Sequence, residues 1–326
     1  MRVLVSGGAG YVGSVVAAHL LAGGHEVTVL DDLSTGHQDA VPDGAAFIRG
    51  TVSDKAAGLL AERGIEAVLH FAASSLVGES VANPAKYWAN NLGGTLALLD
   101  GMRRAGTPRI IFSSSAAVYG EPERTPIEET SPTRPTSPYG ASKLAVDTAL
   151  TETARLWGFG AVSLRYFNVA GAYRQRGGGW LGERHDPEAH LIPNILSVAL
   201  TGAGEVAMFG DDYPTPDGTC IRDYIHVADL AQAHLLALSA CAPGEHKIFN
   251  VGSGSGFSNR EVLAACRDVT GRVIPSRMAG RRPGDPAALI ASSDRIRAGL
   301  RWRASRSLTD MVADSWTFAE SRAGAR

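Results

Sequence analysis

Residues 2–14 read Arg-Val-Leu-Val-Ser-Gly-Gly-Ala-Gly-Tyr-Val-Gly-Ser. A short apolar run breaks into Gly7, Gly8, Gly10 and Gly13, then passes into a stretch rich in Val and Ala. The pattern predicts strand, tight turn and helix. Both GxxGxxG (7, 10, 13) and GxGxxG (8, 10, 13) can be laid on it. Either register has the same physics: glycine permits the turn, lets backbone N–H groups approach a pyrophosphate, and lets helix pack closely on strand. The phosphate then sits at the positive end of the helix. A glycine turn can also merely join a strand to a helix, so the flanking sequence decides.

The flanks support the dinucleotide reading. Asp31 falls 18 residues after Gly13, at the end of a second apolar run. A carboxylate there accepts hydrogen bonds from both adenosine ribose hydroxyls and repels the extra phosphate of NADP, which selects NAD. Asp32 is the alternative for that role. Apolar runs at 3–6, 27–30, 47–49, 67–72, 109–113 and 161–167 predict strands, with helical patterns between most of them, as at 13–22 and 91–104. This rhythm marks a doubly wound α/β fold of Rossmann type, a parallel sheet with helices on both faces. After Asn168 the chain becomes rich in Gly, Pro and Asp, with one helical run near 193–200. The expected division is a dinucleotide-binding domain over 1–168, to which 222–240 returns, and a smaller α/β lobe from 169–221 and 241–326.

Composition bounds the partners. The 326 residues are 44% apolar and 20% charged with net charge −2, so no overall field draws the chain to nucleic acid or anionic lipid. Bound polyanions must be held locally. No run approaches the ~18 apolar residues of a membrane span, and the apolar stretch at the amino terminus is too short for a signal peptide. A cytoplasmic enzyme is expected. Cys220, Cys241 and Cys266 have no paired spacing and read as buried free thiols. The basic stretch 295–306 reads as an amphipathic helix with a solvated face. His185 and His190 read as part of a loop, and no metal is expected.

Tyr139 and Lys143 lie four apart after Ser137-Pro138, an N-cap and first helical residue, and so share a helix face. A free tyrosine titrates near ~10, so its use as a base at neutral pH requires a stabilised phenolate. A nearby ammonium, the helix start and an oxidised nicotinamide all act in that direction.

With these residues in place, the chain resembles the extended short-chain dehydrogenase/reductase family and, within it, the UDP-glucose (UDP-galactose) 4-epimerases. The matching stretches are MRVLVSGGAGYVGS, HFAAS with VGESVANP, NNLGGT, IFSSSAAVYG, SPYGASKL, LRYFNVAGA, FGDDYPTPDGTCIRDYIHVADLA and RRPGDPA. The last two are the more specific, because they belong to the nucleotide-sugar lobe. The resemblance implies an NAD-dependent isomerase that inverts sugar C4 through a 4-keto intermediate. Ser115, Tyr139 and Lys143 would be catalytic, with Ser115 at the sugar O4. NAD would be held by Gly7, Gly10, Tyr11, Val12, Gly13, Asp31 and Asp32, and further along by Phe71, Ala72, Asn90, Ser113, Tyr139, Lys143 and Tyr166. The UDP-sugar would meet Asn168, Leu191, Phe209, Arg222, Tyr224, Arg282, Asp285 and Leu289. Of these, Arg282 would take the pyrophosphate and Asp285 the uridine ribose, a task suited to a guanidinium fork in the first case.

After Ser115 come Ala116 and Ala117, where related 4,6-dehydratases carry an Asp-Glu pair, so water elimination is not expected. Thr51-Val52, Ser75 and His190 depart from residues common in the family near the cofactor and nucleotide. Leu289 is intermediate between the bulky Tyr and the small residue found there in relatives, which leaves N-acetylated sugars open. The alternatives to the UDP-hexose reading are another UDP-sugar on the same chemistry and a non-catalytic NAD-binding sensor. The family also implies a homodimer through helices near 91–104 and 139–156.

Overall fold

The computed structural model describes residues 1–282 and 284–324. Pro283, inside the RRPGDPA stretch, lies outside them. Seven parallel strands form the main sheet in the spatial order His246–Val251, Gly160–Tyr166, Arg109–Ser115, Ala67–His70, Arg2–Ser6, Glu26–Asp31, Ala46–Arg49. Chain order reverses between Arg2–Ser6 and Ala67–His70, where doubly wound sheets open a crevice at the carboxyl ends of their strands.

Successive strand residues face opposite sides of a sheet, and the packing follows that period. Val3, Val5, Val29, Leu69 and Ile111 pack on one side with Val15, Val16 and Leu230 of the helices Tyr11–Ala22 and Val227–Ser239. Leu4, Leu30, Val68, Ile110 and Phe112 pack on the other with Leu98, Leu99, Val146 and Leu150 of Gly94–Ala105 and Pro138–Trp157. Strands covered on both faces read as continuous apolar runs, which is why they stood out in the sequence.

The smaller lobe has its own core, with Ile192, Ile195, Val262, Leu263, Met311 and Val312 from the helices Leu191–Thr201, Asn259–Thr270 and Leu308–Ala323. Its central strand, Ile221–His226, pairs with Gly256–Ser258, Ala288–Leu289 and Asn168–Ala170. Two expected placements change. Residues 222–226 belong to this small sheet, and only the following helix, Val227–Ser239, returns to the large core. His246–Val251, assigned from sequence to the smaller lobe, is the edge strand of the large sheet beside Gly160–Tyr166. The helix Asp294–Leu300 buries Ile296 and Leu300 and leaves Arg295 and Arg297 exposed, so the amphipathic helix expected over 295–306 holds for its first half, while 301–306 are not helical. All three cysteines are free and buried. Among the described residues, no helix is long and apolar enough to cross a membrane.

Candidate active site

Between the carboxyl ends of the large sheet and the smaller lobe lies a cavity of about 1020 Å³. The glycine loop forms its floor. Gly7 has φ +75°, and a Cβ on it would stand 2.5 Å from the Ala72 amide nitrogen of the neighbouring strand's continuation. A Cβ on Gly13 would stand 2.2 Å from the Gly7 carbonyl oxygen. Both are glycine because loop, strand and helix touch there. The helix Tyr11–Ala22 begins at Gly10 without any side-chain cap, so its first N–H groups face the cavity edge uncapped by the protein's side chains. Such an end suits a pyrophosphate.

Asp31 is buried at the end of its strand, and its carboxylate accepts from the Ala9 amide (3.0 Å) and the Leu33 amide (2.9 Å). It therefore also ties the glycine loop in place. Burial raises its pKa and these two amides oppose the rise. Asp32 is exposed and accepts from the Ser34 amide. Both line the cavity, as do Tyr11, Val12, Phe71 and Ala72. The Phe71 and Ala72 amides donate to the Ser6 carbonyl, ending the strand predicted over 67–72 at His70.

Asn90 reaches the cavity from a π-helical turn, Trp88–Gly93, ahead of the helix Gly94–Ala105. Such turns recur at functional sites because the extra residue re-aims a side chain. Here Asn90 donates to the Ser74 hydroxyl (3.1 Å), while Asn91 holds the Ser74 backbone from both sides. Periodicity placed this helix from 91; the π turn delays its α-helical part to Gly94.

Ser115 ends the strand Arg109–Ser115, and Tyr139 and Lys143 stand on the first turns of Pro138–Trp157, capped by the Ser137 hydroxyl as expected. The Lys143 ammonium donates to the Ser113 carbonyl (2.8 Å) and lies 5.9 Å from the Tyr139 ring centre. Burial raises the Tyr139 phenol, and the Ser115 hydroxyl draws it back. Burial also pushes Lys143 down to about 8, against the pull of the Asp147 carboxylate. Ser113 bonds the Tyr166 hydroxyl at the same wall.

Beneath this group runs a chain that sequence reasoning missed. Asp147 accepts from Arg165 Nε (2.9 Å), Arg165 Nη1 donates to the Tyr119 hydroxyl (3.0 Å), and that hydroxyl donates to Asn250 (2.7 Å). Asp147 follows Lys143 by one helical turn, and that spacing was the available signal.

On the smaller lobe's side the cavity is lined by Asn168, Leu191, Tyr224 and Leu289, with Tyr224 in register beside Asn168. Arg222, Asp285, Phe209 and Arg282 are not in that wall. Arg222 Nη2 meets Asp285 at 2.5 Å, and the Arg282 guanidinium stacks 4.0 Å above the Phe209 ring. Arg222 is in register with Leu289, which lines the cavity, so Arg222 and its partner Asp285 adjoin it. The three departures, Thr51, Ser75 and His190, all line it. Thr51 has a structural use as N-cap of the helix Val52–Glu62, accepting from the Asp54 amide. The loop over 183–190 adds Glu183, His185 and His190 to the wall. Glu183 and Glu188 lie beside the two histidines, a grouping not foreseen when the histidines were considered alone.

Comparison with known proteins agrees with this geometry. The model of the NAD dependent epimerase/dehydratase family matches residues 3–252. The chain is 56% identical over 325 residues to the UDP-glucose 4-epimerase of Streptomyces lividans, covering 98% of this chain and 96% of that one. With the UDP-glucose 4-epimerase of Corynebacterium glutamicum it shares 52% identity over 322 residues, with the same coverage. The crystal structure of a UDP-glucose 4-epimerase from Stenotrophomonas maltophila, with bound NAD and formylated UDP-arabinopyranose, superposes with a TM-score of 0.94 at 38% identity over 100% of both chains.

Proposed function

The chain belongs to the NAD dependent epimerase/dehydratase family, and on that premise we propose the reaction it performs: interconversion of UDP-glucose and UDP-galactose by inversion at sugar C4. The observation that carries this is the meeting of Ser115, Tyr139 and Lys143 at a cavity whose far wall holds Asn168, Leu191, Tyr224 and Leu289. NAD is the cofactor, and the uncapped helix start behind the glycine loop and the carboxylate of Asp31 suit its pyrophosphate and adenosine ribose. Held there, NAD would supply a reversible acceptor for the C4 hydride, and the tethered sugar, turning over as the 4-ketose, would present its other face to it.

The chain's own residues move the proton. Tyr139 removes it from the C4 hydroxyl, and Ser115 donates to or accepts from O4 as the oxygen passes between hydroxyl and ketone. Lys143 stabilises the phenolate. Ala116 and Ala117 leave no acid–base pair there for eliminating water. Arg222, Asp285, Phe209 and Arg282 form the UDP subsite, Arg222 and Asp285 exchanging their mutual ion pair for contacts with the nucleotide. Binding energy concentrated on UDP leaves the sugar free to rotate. Buried free thiols without disulfides fit a reducing compartment, and we assign the enzyme to the cytoplasm. We also assign it a homodimer, supported by apolar side chains exposed on the helices Gly94–Ala105 and Pro138–Trp157.

Purified protein given UDP-galactose is expected to form UDP-glucose with no net consumption of added NADH, followed by chromatography across a panel of UDP-sugars. Tyr139→Phe should abolish turnover while still binding NAD. Preference for a UDP-sugar other than these two, or turnover unaffected in Tyr139→Phe, would overturn the assignment.

A further inference from the structure

The loop over 183–190 brings together two carboxylates and two imidazoles that no step of the reaction uses. One donor atom from each of Glu183, His185, Glu188 and His190 lies within 4.8 Å of all the others. Three of the spacings are near those of ligands around one ion, and the fourth pair, His190 and Glu183, is in direct contact and must part to admit one. His185 Nδ1 stands 3.1 Å from Glu183 Oε1 and 3.7 Å from Glu188 Oε1, His190 Nδ1 stands 3.6 Å from Glu188 Oε1, and it touches Glu183 directly. A four-coordinate zinc with bonds of about 2.0–2.2 Å needs ligand atoms roughly 3.3–3.6 Å apart.

Two further observations point to an ion. The Glu183 side chain is only 8% exposed, and its ion-pair partners among the described residues are the two histidines of the group. The neighbouring cation, Arg184, is committed elsewhere, to both carboxylate oxygens of Asp39 (3.0 and 2.6 Å). Among the described residues no Lys or Arg pairs with Glu183 or Glu188, so the only groups facing the buried carboxylate are the two imidazoles. In addition, His185 Nδ1 is buried without a hydrogen-bond partner although it faces both carboxylates. A doubly charged cation would take the place of the ring protons between the imidazoles and the carboxylates, satisfy the ring nitrogen and match the two carboxylate charges.

We propose that Glu183, His185, Glu188 and His190 form a structural zinc site. Two nitrogen and two oxygen donors favour zinc over calcium or magnesium, which prefer oxygen alone. Four protein ligands leave no open position, which makes the site structural. The Ala189 and His190 amides donate to Glu188 Oε1 (2.8 and 2.9 Å) and orient that ligand, as outer-sphere contacts do in metal sites. Position gives the ion a task. Arg184 joins the loop to Asp39, its carbonyl lies 3.1 Å from His37 Nε2, and both partners belong to the segment after Asp31. At the other end, His190 is the N-cap residue of Leu191–Thr201 in the smaller lobe. Zinc would pin the segment that bridges the two lobes along one wall of the cavity.

The test is metal content. Full-length protein is stripped with chelator, dialysed with zinc chloride, then dialysed against metal-free buffer and analysed by plasma mass spectrometry. About one zinc per chain is expected in the wild type, with loss of at least tenfold in His185→Ala and His190→Ala. A zinc-dependent rise in the melting temperature should vanish in the same variants. Should a variant fail to fold, cobalt loaded into the wild type decides: strong visible bands of a four-coordinate ion support the site, and weak bands of a six-coordinate ion overturn it. Zinc in the wild type no higher than in the two variants overturns it as well.

Discussion

Tyr139 and Lys143 share a buried helix face, and burial drives each toward neutrality: the phenol is raised and the lysine lowered to about 8. The reaction needs the opposite pair, phenolate beside ammonium. Lys143 can hold its charge because it donates to the Ser113 carbonyl and because Asp147 lies one turn away. An opposite charge at this distance typically moves a pKa by about 1–3 units. Lys143→Met removes a cation that favours the phenolate, so the Tyr139 pKa rises and the acid limb of the kcat/KM profile should move to higher pH by about that amount. Profiles of wild type and variant with UDP-galactose check this, and an unmoved acid limb would leave Lys143 a role in holding cofactor only. Tyr139, Lys143 and Ser115 were legible because their residue types have few uses in such a context. Arg165 was not, since its partner Asp147 is 18 positions away on another element, and a buried pair of that kind leaves no local pattern. The carboxylates of Glu183 and Glu188 escaped notice for a related reason: acidic residues in a polar loop look like solvated surface until folding buries one of them.

The glycine loop shows how elements constrain residues. A Cβ at Gly13 would stand 2.2 Å from the Gly7 carbonyl oxygen, whereas Gly177, in a turn of the smaller lobe, has open space and no positive φ. Gly13→Ala must push the helix Tyr11–Ala22 away from its strand, and overpacking of this kind costs about 1–3 kcal/mol. It should lower the melting temperature by several degrees and weaken NAD binding at least tenfold by calorimetry. Gly177→Ala should change stability by no more than about 0.5 kcal/mol and leave NAD binding intact. Equal effects of the two would detach the loop from the cofactor. Strands were legible as apolar runs, but their sheet was not. Ile221–His226 is as buried as a strand of the large sheet yet pairs with Asn168–Ala170 and Gly256–Ser258, while the half-buried His246–Val251 closes the large sheet. Partner choice is a long-range matter that no window of sequence contains. The π turn at Trp88–Gly93 was hidden likewise, because it inserts a residue without breaking the apolar pattern.

At the scale of the molecule, a net charge of −2 leaves the binding of anionic ligands to local devices, which in the proposed function are a helix start for NAD and Arg222 with Arg282 for the UDP-sugar. The same modest charge does not oppose self-association, and the outer surface carries apolar groups that a monomer would leave in water. Leu96 is 45% exposed on Gly94–Ala105, and Leu156 and Trp157 are 64% and 42% exposed at the end of Pro138–Trp157. The two helices are neighbours, with Arg103 lying 5.5 Å over the Trp157 ring, so these side chains flank one face. Two such faces meeting about a two-fold axis give a four-helix contact, the isologous arrangement of most homodimers. A stable contact of this kind buries about 800 Å² per partner, and a carboxylate at its centre without a partner is strongly unfavourable. Leu96→Glu combined with Leu156→Glu should therefore convert a wild-type dimer to monomer at micromolar concentration in sedimentation velocity. Both side chains already face water within one chain, so the circular dichroism and NAD affinity of the variant should stay those of the wild type. A double variant that remains dimeric would move the contact to another face, and a monomeric wild type would remove it.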